Sequence, residues 1–522
     1  MVRWCAAMIA VGVLLSLCAG GVYGFKVFDG VVSQSRTDIV NMDSSSPSEP
    51  GQRPDVLFYH DLHTDSLLES NEKKEGCKLC HTSIKGKDAF RFIPVEKKSK
   101  DQRMTAYHER CIGCHSSYVS KKKDAGPMIC SGCHVEKPAV KRSAVSARFD
   151  KSLHQRHSDS LNKSCESCHH LYNPVTKKRY YKKGKEGSCS YCHADKSGSA
   201  PQDGMKSDLD FKQASHLQCI TCHETRYEAG KKAGPRRCED CHDPNMRKTI
   251  SKAPRVSRLD MGQKDFMMLK NEKEPGPGAR KNRMNFVPFD HKNHEMNNES
   301  CRVCHHKSLT ACVECHTVEG SAKGGHVILE KVMHQPDSER SCSGCHEIRR
   351  KKPECSGCHS FDVNWVKDER KHCVQCHAVP ELKKDQAAQA SAMIESRIKG
   401  KPSVDISKIP ENIVINKLEK NYQPVQFPHR KIVNTLYSKI SKNSMAQYFH
   451  HEKATLCMGC HHNSPATDTP TACRNCHNPV EKEAGLRKPG LLGAYHIQCM
   501  ECHAQMNIRQ PESCTACHKE KK

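Results

Sequence analysis

The sequence predicts a mostly irregular chain with short α-helices and little or no β-sheet, wrapped around something other than its own apolar side chains. Three observations predict this. Apolar residues make up 36% of the 522 residues and aromatics 5%, while 27% are charged, a balance that would leave an unaided chain disordered. The motif Cys-x-x-Cys-His occurs sixteen times and takes 32 of the 34 cysteines. The histidines outside those motifs recur in a repeated order along the chain, which marks a tandem architecture.

In Cys-x-x-Cys-His the two thiols add to the vinyl groups of a haem and the histidine ligates its iron. Histidine is 34 of 522 residues, so chance would place it after a Cys-x-x-Cys about one time in fifteen. Zinc knuckles and disulfide frameworks do not require that histidine. The chain therefore reads as a multihaem cytochrome c with sixteen covalent haems c, and these large apolar plates replace a conventional core.

The first attachment cysteines are Cys77, Cys111, Cys130, Cys165, Cys189, Cys219, Cys238, Cys301, Cys312, Cys342, Cys355, Cys373, Cys457, Cys473, Cys499 and Cys514. The second are Cys80, Cys114, Cys133, Cys168, Cys192, Cys222, Cys241, Cys304, Cys315, Cys345, Cys358, Cys376, Cys460, Cys476, Cys502 and Cys517. The proximal ligands are His81, His115, His134, His169, His193, His223, His242, His305, His316, His346, His359, His377, His461, His477, His503 and His518.

The N-terminus predicts a cleaved secretory signal over residues 1–24. Arg3 is its positive region, Cys5 to Leu17 its apolar core, and cleavage falls after Gly24. An uncleaved anchor is disfavoured because the run is short for a membrane span. A lipoprotein through Cys18 is disfavoured by Leu17 before it. Haem is attached to c-type cytochromes outside the cytoplasmic membrane, so the predicted location is periplasmic.

The formal net charge is +25. Haem propionates bring this to roughly +8 with all iron ferric and roughly −8 with all iron ferrous, which removes the case for a nucleic-acid partner. Lysine-rich stretches at 121–123, 182–185 and 349–352 read as solvated loops or local docking patches.

Internal repeats fix the organisation. Motifs at Cys111 and Cys130, and at Cys219 and Cys238, are spaced alike and enclose the same Ala-Gly-Pro, at Ala125 to Pro127 and Ala233 to Pro235. His108, His216 and His496 each stand three residues before a first cysteine, and His170, His306 and His462 follow a proximal histidine directly. The run from His154-Gln-Arg-His157 through the motifs at Cys165, Cys189, Cys219 and Cys238 resembles the class III, tetrahaem cytochromes c of sulfate-reducing bacteria. That resemblance implies that His154, His170, His157 and His216 are the sixth ligands of those four haems in order. It implies the same for His291, His306, His294 and the late ligand His334 in a second copy, with His326 a further candidate for the late position.

A shorter first copy carries His60, His63 and His108 for three haems. It has Thr82 where the second His of Cys-His-His would stand, and the haem that His would serve is absent too. A last copy opens on Phe427-Pro-His429 but has Ile432 in place of the second histidine. One motif, at Cys373, stands alone. The order three, four, four, one and four makes the whole chain similar to the high-molecular-weight, sixteen-haem cytochromes c of sulfate-reducing bacteria.

The predicted segments are a flexible stretch at 25–54, a trihaem module at 55–140, tetrahaem modules at 146–246 and 285–361, a linker at 247–284, an isolated haem with a haem-free helical segment at 362–425, and a tetrahaem-like module at 426–522. The helix within 387–420 is expected to pack on the last module.

In that last module the resemblance assigns His462 and His496, and by position His429 for the Cys457 haem. His450 or His451 is a candidate for the isolated Cys373 haem, and His372 abuts that motif. The haem of Cys499, Cys502 and His503 is then left five-coordinate, unless His450 or His451 replaces the lost ligand or the Cys373 haem is the open one. Eighteen methionines show no consistent spacing to the motifs and read as gap fillers.

Bis-histidine ligation closes iron to substrates and lowers its potential relative to His/Met ligation. The sequence therefore predicts an electron carrier and not an enzyme. The resemblance implies donors and an acceptor: hydrogenase, directly or through a small tetrahaem cytochrome, and a membrane-bound redox complex, in anaerobic sulfate respiration. The alternatives are a multihaem reductase working at the open haem and an extracellular metal-reducing conduit.

Overall fold

The computed structural model describes residues 35–42, 53–69, 79–84, 87–92, 99–193, 209–270, 284–359, 369–399, 405–416, 422–452, 454–462, 464, 466–479, 488–509 and 513–521. The signal at 1–24, Cys77 and the side chain of His372 lie outside them. Short helices and 3-10 turns dominate, and the described strands form six two-stranded sheets. By packing, the chain divides into two compact units, Met1–Arg148 with Lys212–Lys252, and Phe149–Phe211 with Ala253–Lys522. Residues 146–246 thus contribute to both units.

In the first unit the helix Lys100–Ser120 begins with a capping box. Ser99 accepts from the Gln102 amide while the Gln102 side chain accepts from the Ser99 amide, which satisfies two otherwise orphaned donors. Part of the stretch expected to be flexible is pinned. Ile39–Met42 pairs antiparallel with Val56–Tyr59, and Ser35–Arg36 pairs parallel with Lys141–Arg142. Ile39 is 2% exposed, and the Asp38 carboxylate accepts from Arg36 at 2.8 Å and from the Asp61 amide at 3.1 Å. The pairing partners lie in distant sequence, so local composition could not reveal them.

In the second unit Asp150 caps the helix Lys151–Ser160 by accepting from the Leu153 amide at 2.7 Å. Phe266–Leu269 pairs antiparallel with Val287–Asp290, so the predicted linker 247–284 contributes a strand. The haem-free helix Gln386–Lys399 packs on that hairpin as well as on the helix Ser444–Phe449, not on the last module alone. Met268, Val379 and Ala390 bury against each other there, with Phe266, Phe286, Leu382 and Met393 around them.

Among the described residues the buried apolar side chains are Ile39, Met268, Leu329, Val379, Ala390, Ile394, Ala454 and Leu491. So few cannot make the interior of so long a chain. Among the described histidines, His316 and His477 are buried as well.

Candidate functional site

Among the described residues, the attachment motifs fold as helical turns. The histidine amide donates to the carbonyl of the first cysteine at 2.8–2.9 Å in motifs beginning at Cys130, Cys165, Cys189, Cys301, Cys312, Cys373, Cys457, Cys473 and Cys514. Residues three and four apart share a helical face, so the turn sends both thiols and the imidazole toward one side. In the first module's second motif, and in that at Cys219, the same turn lies inside a long helix, Lys100–Ser120 and Phe211–Glu228.

Opposite the proximal rings stand second histidines. His60 faces His81, His63 faces His115 and His108 faces His134. His154 faces His169, His170 faces His193 and His216 faces His242. His291 faces His305, His294 faces His346 and His306 faces His316. His429 faces His461, His462 faces His477 and His496 faces His518. Two pairs differ from the sequence expectation: His334 faces His377, and His450 faces His359.

All these centroid separations fall between 5.8 and 6.3 Å. Two imidazoles bound to opposite faces of one metal, each at about 2 Å, stand roughly that far apart. The rings thus leave the room that an iron and its macrocycle require.

The late ligand of the third module is therefore exchanged with the insertion ligand. His334 stands opposite the proximal ring of the isolated Cys373 motif, and His450 opposite that of the Cys355 motif. His334 lies between the Cys312 and Cys342 motifs, and linear order alone cannot tell which later ring it meets. His451 instead bonds the Tyr448 carbonyl through Nδ1 at 2.8 Å and faces no proximal ring among the described residues. His326 sits at a positive φ of 60° and likewise faces none. Nor does any histidine ring among the described residues stand opposite His503.

The ring nitrogens are oriented for metal binding. Nδ1 of His115, His223 and His477 meets the carbonyls of Pro127, Pro235 and Pro489 at 2.7–2.8 Å. His242 and His377 meet those of Val145 and Asn285 in the same way. A carbonyl only accepts, so Nδ1 carries the proton and Nε2 keeps the lone pair a metal needs. The second histidines of the His-x-x-His pairs use nearby backbone: Nδ1 of His63, His157 and His294 reaches the carbonyl four residues earlier at 2.7–2.8 Å. Phe58 and Phe289 stack on His63 and His294 at 4.2 and 4.3 Å. Ile432 offers none of this chemistry.

The repeated Ala-Gly-Pro acquires a role here. Its proline carbonyl orients the proximal ring, and its glycine lies flat against that ring. A Cβ on Gly126 would stand 2.8 Å from His115 Nε2, and one on Gly234 would stand 2.6 Å from His223 Nε2. The repeat was visible in sequence; its purpose was not.

Burial shifts the histidines and the cysteines in opposite directions, each toward its neutral form. It pushes His346 and His359 down to about 4, so both rings stay neutral. It pushes the thiols of Cys342 and Cys460 up to about 12, and that of Cys358 up to about 11. Cys238 is pushed up to about 12 by burial together with the Asp61 carboxylate. His60 Nδ1 lies 3.7 Å from Asp61 and 3.9 Å from Cys238 Sγ.

Residues 38–134, 136–242, 267–359 and 413–519 each match the class III cytochrome c family. The chain belongs to that family, and it is a multihaem electron-transfer cytochrome c. It is 38% identical to the high-molecular-weight cytochrome c of Nitratidesulfovibrio vulgaris (Hildenborough), over 100% of this chain and 98% of that one.

Among solved structures it resembles the high-molecular-weight cytochrome c from Desulfovibrio vulgaris (Miyazaki F), with a TM-score of 0.76 at 37% identity, covering 95% of this chain and 100% of that one. It also resembles the sixteen-haem cytochrome from Desulfovibrio gigas, with a TM-score of 0.74 at 31% identity, covering 93% and 99%. No helix among the described residues is long and apolar enough to cross a membrane.

Proposed function

We propose that the protein is a periplasmic relay that holds sixteen covalent haems and passes low-potential electrons between a periplasmic donor and a membrane-bound redox complex. Hydrogenase, acting through a small tetrahaem cytochrome, is the donor this reading favours. When bound, each haem supplies a one-electron ferric/ferrous couple. The chain's own residues fix the rest. Paired histidines deny substrates an open coordination position, carbonyl-bound Nδ1 atoms raise ligand basicity, and the helical turns set the spacing.

The supporting observation is the set of histidine pairs, alike in separation, among the described residues. The test is to supply hydrogen with hydrogenase and a small tetrahaem cytochrome, then follow haem reduction. The relay reading expects full reduction without consumption of nitrite, sulfite or hydroxylamine. Sustained turnover of any of these would favour the reductase reading instead. A specific observation keeps that second reading in view: the His503 ring has no histidine opposite among the described residues, so the Cys499 haem is the place for five-coordinate chemistry.

A further inference from the structure

Five attachment turns carry glycine just before the second cysteine: Gly113, Gly132, Gly344, Gly357 and Gly459. A Cβ on Gly113 would meet nothing within 4 Å. One on Gly132 would meet Pro127, and one on Gly344 the backbone oxygens of Ser338 and Gln335. Gly357 and Gly459 differ, because each faces the sulfur of another motif. A Cβ at Gly357 would stand 2.9 Å from Cys502 Sγ and 2.6 Å from Met506 Sδ, and one at Gly459 would stand 3.3 Å from Cys358 Sγ.

The approach is clamped. Ser356, 3% exposed, donates through Oγ to the Gln505 carbonyl at 2.7 Å. This holds the turn Pro353–His359 against the end of the helix Leu491–Gln505. Met506 Sδ lies 3.8 Å from Cys502 Sγ and fills the remaining gap. Cys460 follows Gly459 directly, so its turn is the one that abuts Cys358.

We propose that Gly357 and Gly459 are positioning residues of an electron junction in which the attachment turn of Cys358 closes on Cys502 and that of Cys460 closes on Cys358, joining three haem sites of the third and last modules. The missing Cβ atoms let each turn close on its neighbour's sulfur. One electron leaves a ferrous site and enters a ferric neighbour; no bond forms or breaks and no proton moves. The junction rests on the relay reading. It does not depend on which iron is five-coordinate.

The test uses full-length holoprotein as wild type, Gly357→Ala, Gly459→Ala and Gly113→Ala. Each is given a pulse of reductant too small to fill all haems. Haem absorbance then reports the concentration-independent redistribution of electrons. The expected result is a several-fold slower redistribution phase in Gly357→Ala and a smaller slowing in Gly459→Ala. Gly113→Ala should match wild type, and potentiometric curves should be unchanged throughout.

Equal redistribution rates in wild type and Gly357→Ala would overturn the junction. Absence of any concentration-independent phase in wild type would overturn the relay reading itself, and with it the junction. If Gly357→Ala does not retain sixteen haems, Gly459→Ala decides: slowing supports the junction, and a wild-type rate overturns it.

Discussion

Gly126→Ala tests how the Ala-Gly-Pro repeat governs a haem. The new Cβ would lie 2.8 Å from His115 Nε2 and 3.0 Å from Nδ1, against an ordinary contact of at least 3.4 Å, so ring or backbone must yield by several tenths of an ångström. The ring is held by its bond to the Pro127 carbonyl at 2.8 Å and by its place opposite His63. The bond to the carbonyl is the weaker restraint and is expected to break.

A hydrogen bond of this kind is worth about 1 kcal/mol net. It raises imidazole basicity and so favours ferric iron. Losing it should raise the potential of that haem by up to about 40 mV, given 59 mV per tenfold change for one electron. Gly234→Ala should act likewise on the His223 haem, and Gly113→Ala, facing open space, should not. Potentiometric titration with low-temperature EPR of individual haems is the assay. Unchanged potentials and g-values in both Ala-Gly-Pro variants would refute the reasoning.

Further outcomes follow from the same geometry. His450→Ala and His334→Ala should each add one high-spin ferric centre to the EPR count, whereas His451→Ala and His326→Ala should add none; the reverse pattern would contradict the pairing. A chain matured without haem should lack cooperative thermal unfolding and native-like protection from proteolysis, because its buried apolar residues are so few. Arg258 lies between Glu295 and Asp265, at 2.5 Å from Glu295, and holds both carboxyls below the usual range. Depressed carboxyl values stabilise the fold above the unfolded pKa, and this is lost as pH falls through the folded one. The stability difference between wild type and Arg258→Gln should therefore shrink as pH falls from 7 to about 3, measured by thermal midpoint.

Legibility from sequence followed the range of the interactions. The attachment turns are local, so Cys-x-x-Cys-His alone located them. Distal ligands such as His63 and His294 take their Nδ1 acceptor from the residue four positions earlier, at the end of the preceding strand, and a short spacing rule reached them. His334 and His450 meet rings far along the chain, where spacing carries no information; their partners were exchanged. The strand Ile39–Met42 and the Phe266–Leu269 edge were likewise hidden, since their partners come from other segments. The Ala-Gly-Pro repeat was visible, but only the backbone path shows Pro127 and Pro235 turning their carbonyls onto His115 and His223.

Sixteen attachment motifs are present, while Ile432 stands where a sixth-ligand histidine is expected. The most direct measurement is haem quantification with EPR spin counting on the oxidised holoprotein, repeated on Ile432→His. The expected result is sixteen haems, a single high-spin centre in wild type, and its conversion to low spin in the variant. Fewer than sixteen haems, an entirely low-spin wild type, or a high-spin signal that survives in Ile432→His would contradict it.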